Sequence, residues 1–152
     1  MKVSEAMTHE VRITSPGDTI RTAAQMMAEI DAGVLPVGEN DRLVGIITDR
    51  DIAVRAVAAG KSPDTPVREV MSSNDVCYCF EDQEIDDVAS NMAEIKVRRL
   101  PVVNRDKRLV GILSLSDISQ AASQGQPAVE ALCGICEPGG QHSQAGDGQM
   151  QA

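Results

Sequence analysis

A chain of 152 residues with a formal charge of −9 has room for one ordinary domain or for two small halves. That charge, with a single Tyr and a single Phe, supplies neither the basic footprint nor the aromatic stacking platform that nucleic-acid binding uses, so nucleic acid is set aside as a partner. No apolar run approaches a membrane span and the polar start Met1-Lys2-Val3-Ser4-Glu5 lacks a signal-peptide core, which makes a cytoplasmic protein with no membrane partner the expectation.

In chain order, the first element expected is a short helical stretch, Val3-Ser4-Glu5-Ala6-Met7, followed by a strand over residues 11–14. Ser15-Pro16-Gly17-Asp18 has turn composition, and Asp18 stands where it can cap the next helix. There Ile20, Ala23, Ala24 and Met27 recur at i, i+3, i+4 and i+7, the spacing of a core-facing stripe. A short apolar strand over residues 34–37 and a polar turn, Glu39-Asn40-Asp41, come next. The strand over residues 43–47 lacks polar alternation and is expected to be buried on both faces. A closing helix begins between Thr48 and Asp51, where a polar residue ends the strand and caps the helix. Gly60-Lys61-Ser62-Pro63-Asp64-Thr65-Pro66 is then a linker rich in breakers.

The series now repeats. Val67-Arg68-Glu69-Val70-Met71 matches the opening helix, residues 76–79 the first strand, and Ile85, Val88, Ala89 and Met92 the stripe. Leu35-Pro36-Val37 returns as Leu100-Pro101-Val102, and Arg42-Leu43-Val44-Gly45-Ile46-Ile47-Thr48 as Arg108-Leu109-Val110-Gly111-Ile112-Leu113-Ser114. The offset is 65 from Leu35 to Leu100 and 66 from Arg42 to Arg108, so copy two has one extra residue in its turn, Asn104-Arg105-Asp106-Lys107. Units of roughly 60 residues are too long, and two are too few, for most solenoids, which leaves two halves about a pseudo-twofold axis sharing one core. The expected class is α/β of the α+β kind, with two β-α-β-β-α repeats. Residues 1–62 form repeat one, 63–126 the linker and repeat two, and 127–136 a short helix. Residues 137–152, rich in Gly, Gln and Ser without periodicity, are expected to be a disordered tail.

The cysteines come as Cys77-Tyr78-Cys79 and Cys133-Gly134-Ile135-Cys136, and in a reducing compartment they pack, form a redox pair or ligate metal. Only the second pair has C-x-x-C spacing and only His142 is close by in sequence, so packing is favoured and no metal ligand is assigned. A redox adaptor built on Cys133 and Cys136 would need nearby cations to hold a thiolate, whereas Glu130 and Glu137 are acidic.

The junction Gly45-Ile46-Ile47-Thr48-Asp49-Arg50-Asp51 carries the strongest local chemistry, and copy two supplies Gly111, Ser114 and Asp117 in the same places. Glycine lets a ligand approach the backbone, a hydroxyl with free N–H groups at a helix start suits a phosphate, and a carboxylate three residues on accepts from ribose hydroxyls. The structural alternative makes Thr48 and Ser114 plain N-caps, with Asp51 and Asp117 favouring the helix dipole. One copy alone favours that alternative, and the duplication weighs against it. Asp49-x-Asp51 faintly resembles a phosphohydrolase nucleophile motif, but Leu115 stands at the place of Asp49 in copy two. With only His9 and His142, both near the termini, an imidazole base is lacking, so no catalytic residue and no enzyme is expected.

The paired Leu-Pro-Val and Gly-Ile-(Ile/Leu)-(Thr/Ser)-x-x-Asp-Ile segments, in β-α-β-β-α order, resemble tandem CBS domains forming one Bateman module, over roughly Met1 to Ser123. Thr48-Asp49-Arg50-Asp51-Ile52, with Ala58-Ala59-Gly60 and Pro63, resembles the stand-alone bacterial two-CBS proteins of the hypoxic response protein type. The resemblance implies a regulatory module that binds an adenosine-containing nucleotide in clefts between its repeats and forms a homodimer, a flat disc of four repeats. It implies no obligatory cofactor and admits AMP, ADP, ATP, NAD or S-adenosylmethionine as ligand. By resemblance Asp51 and Asp117 hold ribose hydroxyls and Thr48 and Ser114 lie near phosphate. Backbone around Leu35-Pro36 and Leu100-Pro101, with Thr14 or its counterpart Cys79, frames the base. Arg98 and Arg99 fall where some members place phosphate contacts, against Gly33 and Val34 in copy one, so the clefts are expected to differ. Arg50 is a further phosphate candidate, with a solvated surface residue as the alternative. A thiol at Cys79 departs from the pattern, either tying binding to oxidation or simply packing. A redox- or metal-responsive adaptor using the cysteines is the competing function.

Overall fold

The computed structural model describes residues 1–74, 76–121 and 131. Its first half runs α1 (Val3–Ala6), α2 (Ile20–Ile30), β1 (Val34–Glu39), β2 (Arg42–Thr48) and α3 (Asp49–Asp51), which continues as a π-helical segment over Ile52–Val57. A 3-10 turn over Val67–Glu69 opens the second half, followed by β3 (Cys79–Phe80), α4 (Ile85–Ile95), β4 (Arg99–Val103), β5 (Leu109–Ser114) and α5 (Leu115–Ala121).

The cap of α2 is Thr19, whose hydroxyl accepts from the Thr22 N–H, one residue later than the sequence suggested. Asp18 is already engaged: its carboxylate accepts from the Ser15 N–H and the Thr14 hydroxyl, closing the preceding turn. The two long helices end alike, with Asp31 and Lys96 left-handed at φ 53° and 60° and their N–H groups on the Met27 and Met92 carbonyls. Ile20, Ala23 and Met27 are buried on α2, as are Ile85, Val88, Ala89 and Met92 on α4. Ala24 of the expected stripe is exposed, so the buried face of α2 is narrower than that of α4.

Asn40 and Asp41, at φ 54° and 63°, form the turn between β1 and β2, and two successive positive φ values give the twist that suits a tight hairpin. On its other side β1 meets Thr14, whose N–H donates to the Pro36 carbonyl at 3.1 Å and whose carbonyl accepts from the Gly38 N–H at 2.9 Å. The strand expected over residues 11–14 thus shrinks to one bridging residue. In copy two it is Cys79–Phe80, paired in parallel with Val102 and Val103 in a sheet of order β3-β4-β5. Continuous burial belongs to the central strands β1 and β4, whereas β2 and β5 alternate buried with half-buried, contrary to the two-sided burial expected of them.

The compact units do not follow the sequence repeats. One unit joins Met1–His9 to Tyr78–Asn104 and to the chain from Val110, and the other joins Glu10–Cys77 to Arg105–Leu109. Each contains the opening helix of the other copy. In one, Ile46 and Ser72 exchange N–H and carbonyl bonds at 2.9 Å; in the other, Ile112 and Thr8 do so at 3.0 and 2.9 Å. These bridges explain the glycines. A Cβ on Gly45 would lie 2.8 Å from the Met71 sulfur and 2.9 Å from the Ser72 carbonyl oxygen, and one on Gly111 would lie 2.5 Å from the Met7 sulfur and 2.9 Å from the Thr8 oxygen. Close approach here serves the opening helix, not the ligand to which the sequence reading assigned it.

Where one shared core was expected, the buried apolar residues form two clusters. Val3, Met7, Val88, Met92, Leu100, Leu113 and Ile118 belong to one, and Ile20, Met27, Leu35, Val37, Ile47, Val67 and Val70 to the other. No helix among the described residues is long and apolar enough to cross a membrane. Of the short helix expected over residues 127–136 only Ala131 is described, buried within a helix. The rest of it, with Cys133 and Cys136, and the expected tail over 137–152, with His142, lie outside the described residues.

Candidate functional site

The two strand-to-helix junctions are built alike. In one unit the Thr48 hydroxyl accepts from the Asp51 N–H at 3.0 Å while the Thr48 N–H donates to Asp51 Oδ2 at 2.9 Å. In the other, Ser114 and Asp117 make the same pair of bonds at 3.1 and 2.9 Å. Each is a reciprocal cap, so the structural role of these four residues is fully present. It leaves something over. The cap uses Oδ2 of each carboxylate, and a carboxylate offers about four lone-pair sites on two oxygens, so Oδ1 can accept further hydrogen bonds without loss of the cap. The cap also fixes the carboxylate's orientation, which lowers the ordering cost of any donor that docks on it.

Backbone bonds tie each junction to the strand that precedes it. The Asp49 N–H donates to the Gly33 carbonyl and the Leu115 N–H to the Arg98 carbonyl, both at 2.9 Å. Arg98 is therefore brought beside the Ser114–Asp117 cap, as Gly33 is beside Thr48–Asp51. The residues there differ: a Cβ on Gly33 would lie 2.7 Å from Asp49 Oδ2, whereas copy two has Arg98 and Leu115 at the two places.

Arg55 was missed by sequence reasoning. Its Nε lies 3.7 Å from Asp51 Oδ1, with the carboxylate side chain 14% and the arginine side chain 52% exposed. Its Nη1 also donates toward the Val70 and Met71 carbonyls at 3.4 Å. The available signal was an opposite charge four residues after Asp51, a spacing that pairs on a helix. At the offset of 66 from Asp51 to Asp117, the counterpart of Arg55 is Ala121.

Of the other candidates, Leu35, Pro36, Leu100 and Pro101 are buried in β1 and β4, and Thr14 and Cys79 pair with those strands at equivalent places. The Thr14 hydroxyl is spent on Asp18 at 2.9 Å. Burial pushes the Cys79 thiol up from 9.0 to about 12, so at neutral pH it is protonated and a poor nucleophile, which disfavours coupling of binding to its oxidation. Cys77 is exposed. Arg50, Arg98 and Arg99 are exposed, and the Arg50 backbone N–H donates to Asp49 Oδ1 at 2.8 Å. Among the described residues no group of three or more His, Cys, Asp or Glu is gathered to hold a metal ion.

A family model described as CBS domain matches residues 3–57 and 67–124. The CBS domain-containing protein YhcV of Bacillus subtilis is 38% identical over 133 residues, covering 88% of this chain and 94% of its own. Hypoxic response protein 1 of Mycobacterium tuberculosis is 37% identical over 122 residues, covering 80% of this chain and 84% of its own. A crystal structure of Hypoxic Response Protein I with two coordinated zinc ions matches with a TM-score of 0.72 and 35% identity, over 80% of this chain and 99% of that one. The CBS domain pair of protein MJ0100, in complex with 5-methylthioadenosine and S-adenosyl-L-methionine, matches with a TM-score of 0.67 and 33% identity, over 79% and 98%. CBSX2 in complex with AMP matches with a TM-score of 0.69 and 26% identity, over 81% and 96%.

Proposed function

Because the chain belongs to the CBS-domain family, with both of its copies matching the family model, we propose that it is a regulatory module that binds the adenosine part of a nucleotide and does no chemistry on it. The observation that carries this reading is the duplicated cap, in which Thr48–Asp51 and Ser114–Asp117 each hold a carboxylate in place and leave Oδ1 for a ribose hydroxyl. AMP, 5-methylthioadenosine and S-adenosyl-L-methionine, the ligands of two structural neighbours, share adenosine and differ beyond it, which supports recognition centred on the nucleoside.

In this reading Asp51 and Asp117 accept from ribose, and the helix starts at Thr48 and Ser114 face phosphate where the ligand has one. The strand segments Leu35-Pro36 and Leu100-Pro101, with Thr14 and Cys79, border the base. Arg98 and Arg99, exposed and next to the Ser114 junction, attract phosphate there; Arg50, exposed on the copy-one helix, is a further cation for phosphate. AMP, ADP, ATP, NAD and S-adenosylmethionine all satisfy this chemistry, and none is an obligatory cofactor. The buried thiol of Cys79 suits a reducing cytoplasm. Val54 and Val57, 51% and 70% exposed on the π-helical segment, support burial of that segment in a homodimer.

Thermal unfolding against adenosine, AMP, ADP, ATP, NAD and S-adenosylmethionine tests the reading. A ligand at about 100 times its Kd adds roughly 2.7 kcal/mol, which for a chain of this length raises the midpoint by roughly 5–10 °C. Midpoints unmoved by every member of the panel would refute it.

A further inference from the structure

We propose that Arg55 is a built-in competitor for the ribose position at Asp51, so that the two adenosine sites are intrinsically unequal and the Asp117 site fills first. The inference rests on the reading of Asp51 and Asp117 as ribose acceptors.

The two carboxylates are held by identical caps, so whatever separates them lies at Oδ1. On Asp51 this oxygen faces the Arg55 guanidinium, with Nε at 3.7 Å. Arg55 is itself steadied from behind by the carbonyls of Val70 and Met71, each 3.4 Å from Nη1. Those carbonyls follow the 3-10 turn Val67–Glu69, whose N-terminal side packs into the core of the same unit through Val67. The arginine is thus suspended between a fixed backbone edge and the carboxylate. Asp117 has Ala121 at the equivalent position, and the cap bonds to Ser114 are its contacts among the described residues. Among the described residues no cation stands at Asp117 Oδ1, so a ribose hydroxyl arriving there meets no competing charge, whereas one arriving at Asp51 must share or displace a guanidinium.

Magnitude decides what kind of device this is. Arg55 is half exposed and its distance to Oδ1 is longer than a hydrogen bond, so the contact has the weight of a surface ion pair, a few-fold in an equilibrium constant. Such a contact ranks two sites; it does not close one. It is also screened by salt, so the ranking narrows as ionic strength rises.

The experiment uses the full chain in an Asp117→Ala background, which leaves the Asp51 site as the one read, and the neutral nucleoside adenosine as the probe, which removes any phosphate contact. Isothermal titration should show Arg55→Ala tightening adenosine roughly three- to fivefold at low salt, with Arg55→Lys in between. The gap between the parent background and Arg55→Ala should shrink toward 0.5 M salt. Unchanged or weaker adenosine binding in Arg55→Ala overturns the competitor role. If the same variant weakens AMP while leaving adenosine unchanged, Arg55 is a phosphate contact and the proposal is equally wrong. Failure of the underlying reading looks different: adenosine binding would then persist unchanged in the Asp51→Ala, Asp117→Ala double variant whatever stands at residue 55.

Discussion

Asp117 has two proposed duties, cap and ribose acceptor, and a pair of substitutions separates them. Asp117→Ala removes both: the Ser114 N–H loses the acceptor it now has at 2.9 Å. That N–H is half-buried, so water replaces the carboxylate in part and the cost to stability is about 0.5–1.5 kcal/mol. Asp117→Asn keeps a side-chain oxygen of the same reach. Its amide carbonyl can take the Ser114 N–H, leaving stability within about 0.5 kcal/mol of the parent. The remaining position, now an amide NH2 in place of Oδ1, cannot accept from a hydroxyl, and the charge is gone. Loss of charge-assisted hydrogen bonds worth about 1.5–3 kcal/mol weakens that site roughly ten- to 150-fold. The two variants should therefore differ in melting temperature but fail alike in calorimetric titration with adenosine. Asparagine at 117 with parental adenosine affinity at both sites would show that the aspartate is a helix cap alone, and the ribose assignment would fall with it.

Replacing both Arg98 and Arg99 by Ala should weaken ATP at one site only and flatten its salt dependence, with adenosine untouched; titrations in which neither site changes would return both arginines to plain surface residues. Gly111→Ala, forced to within 2.9 Å of the Thr8 carbonyl oxygen, should cost about 1–3 kcal/mol and lower the melting midpoint by several degrees. Gly17→Ala, whose Cβ would meet only Arg68 at 3.4 Å, is the control and should be near neutral; equal midpoints for the two variants would contradict the packing account. The Cys79 thiol, raised in the folded state to about 12 from 9.0, contributes stability that is complete below pH 9 and is lost as pH rises through about 12. Cys79→Ala should flatten that alkaline decline in urea unfolding measured across pH 8 to 11, and an identical slope in the parent would refute the burial of a neutral thiol.

The repeat, the helices and the caps were legible because each is a local pattern. Apolar spacing of 3.6 fixes α2 and α4, and Thr48-x-x-Asp51 or Ser114-x-x-Asp117 closes within one turn of chain. What was not legible depends on which copy of a pattern meets which. The opening segments Val3–Ala6 and Val67–Glu69 look alike in sequence, so either could close either sheet, and the interchange that the units display leaves no trace in periodicity. Gly45 and Gly111 were misread for the same reason: glycine announces a close approach but not of what, and the partner turned out to be Met71 and Ser72 or Met7 and Thr8. Arg55 failed to stand out since an arginine on an exposed helix face is usually solvated, and only the position of its guanidinium relative to Oδ1 and the Val70 and Met71 carbonyls gives it weight.

Around two identical caps the chain has moved its cations. At the copy-one junction the positive charge sits on the helix, four residues after Asp51, where it faces the carboxylate. At the copy-two junction it sits on the strand side, at Arg98 and Arg99, with an alanine on the helix. Packing differs alongside: Asp49 Oδ2 lies 2.7 Å from where a Cβ on Gly33 would stand, so a side chain at 33 would have to turn that carboxylate aside, whereas copy two has Arg98 and Leu115 at the two places. On the proposed reading, Arg55 competes with a ligand for Asp51, whereas Arg98 and Arg99 are left for the ligand's phosphate. On that reading, duplication keeps the cap that would hold ribose, and the differences at residues 33, 34, 49 and 55 against 98, 99, 115 and 121 are where the two copies would answer differently to the rest of the ligand.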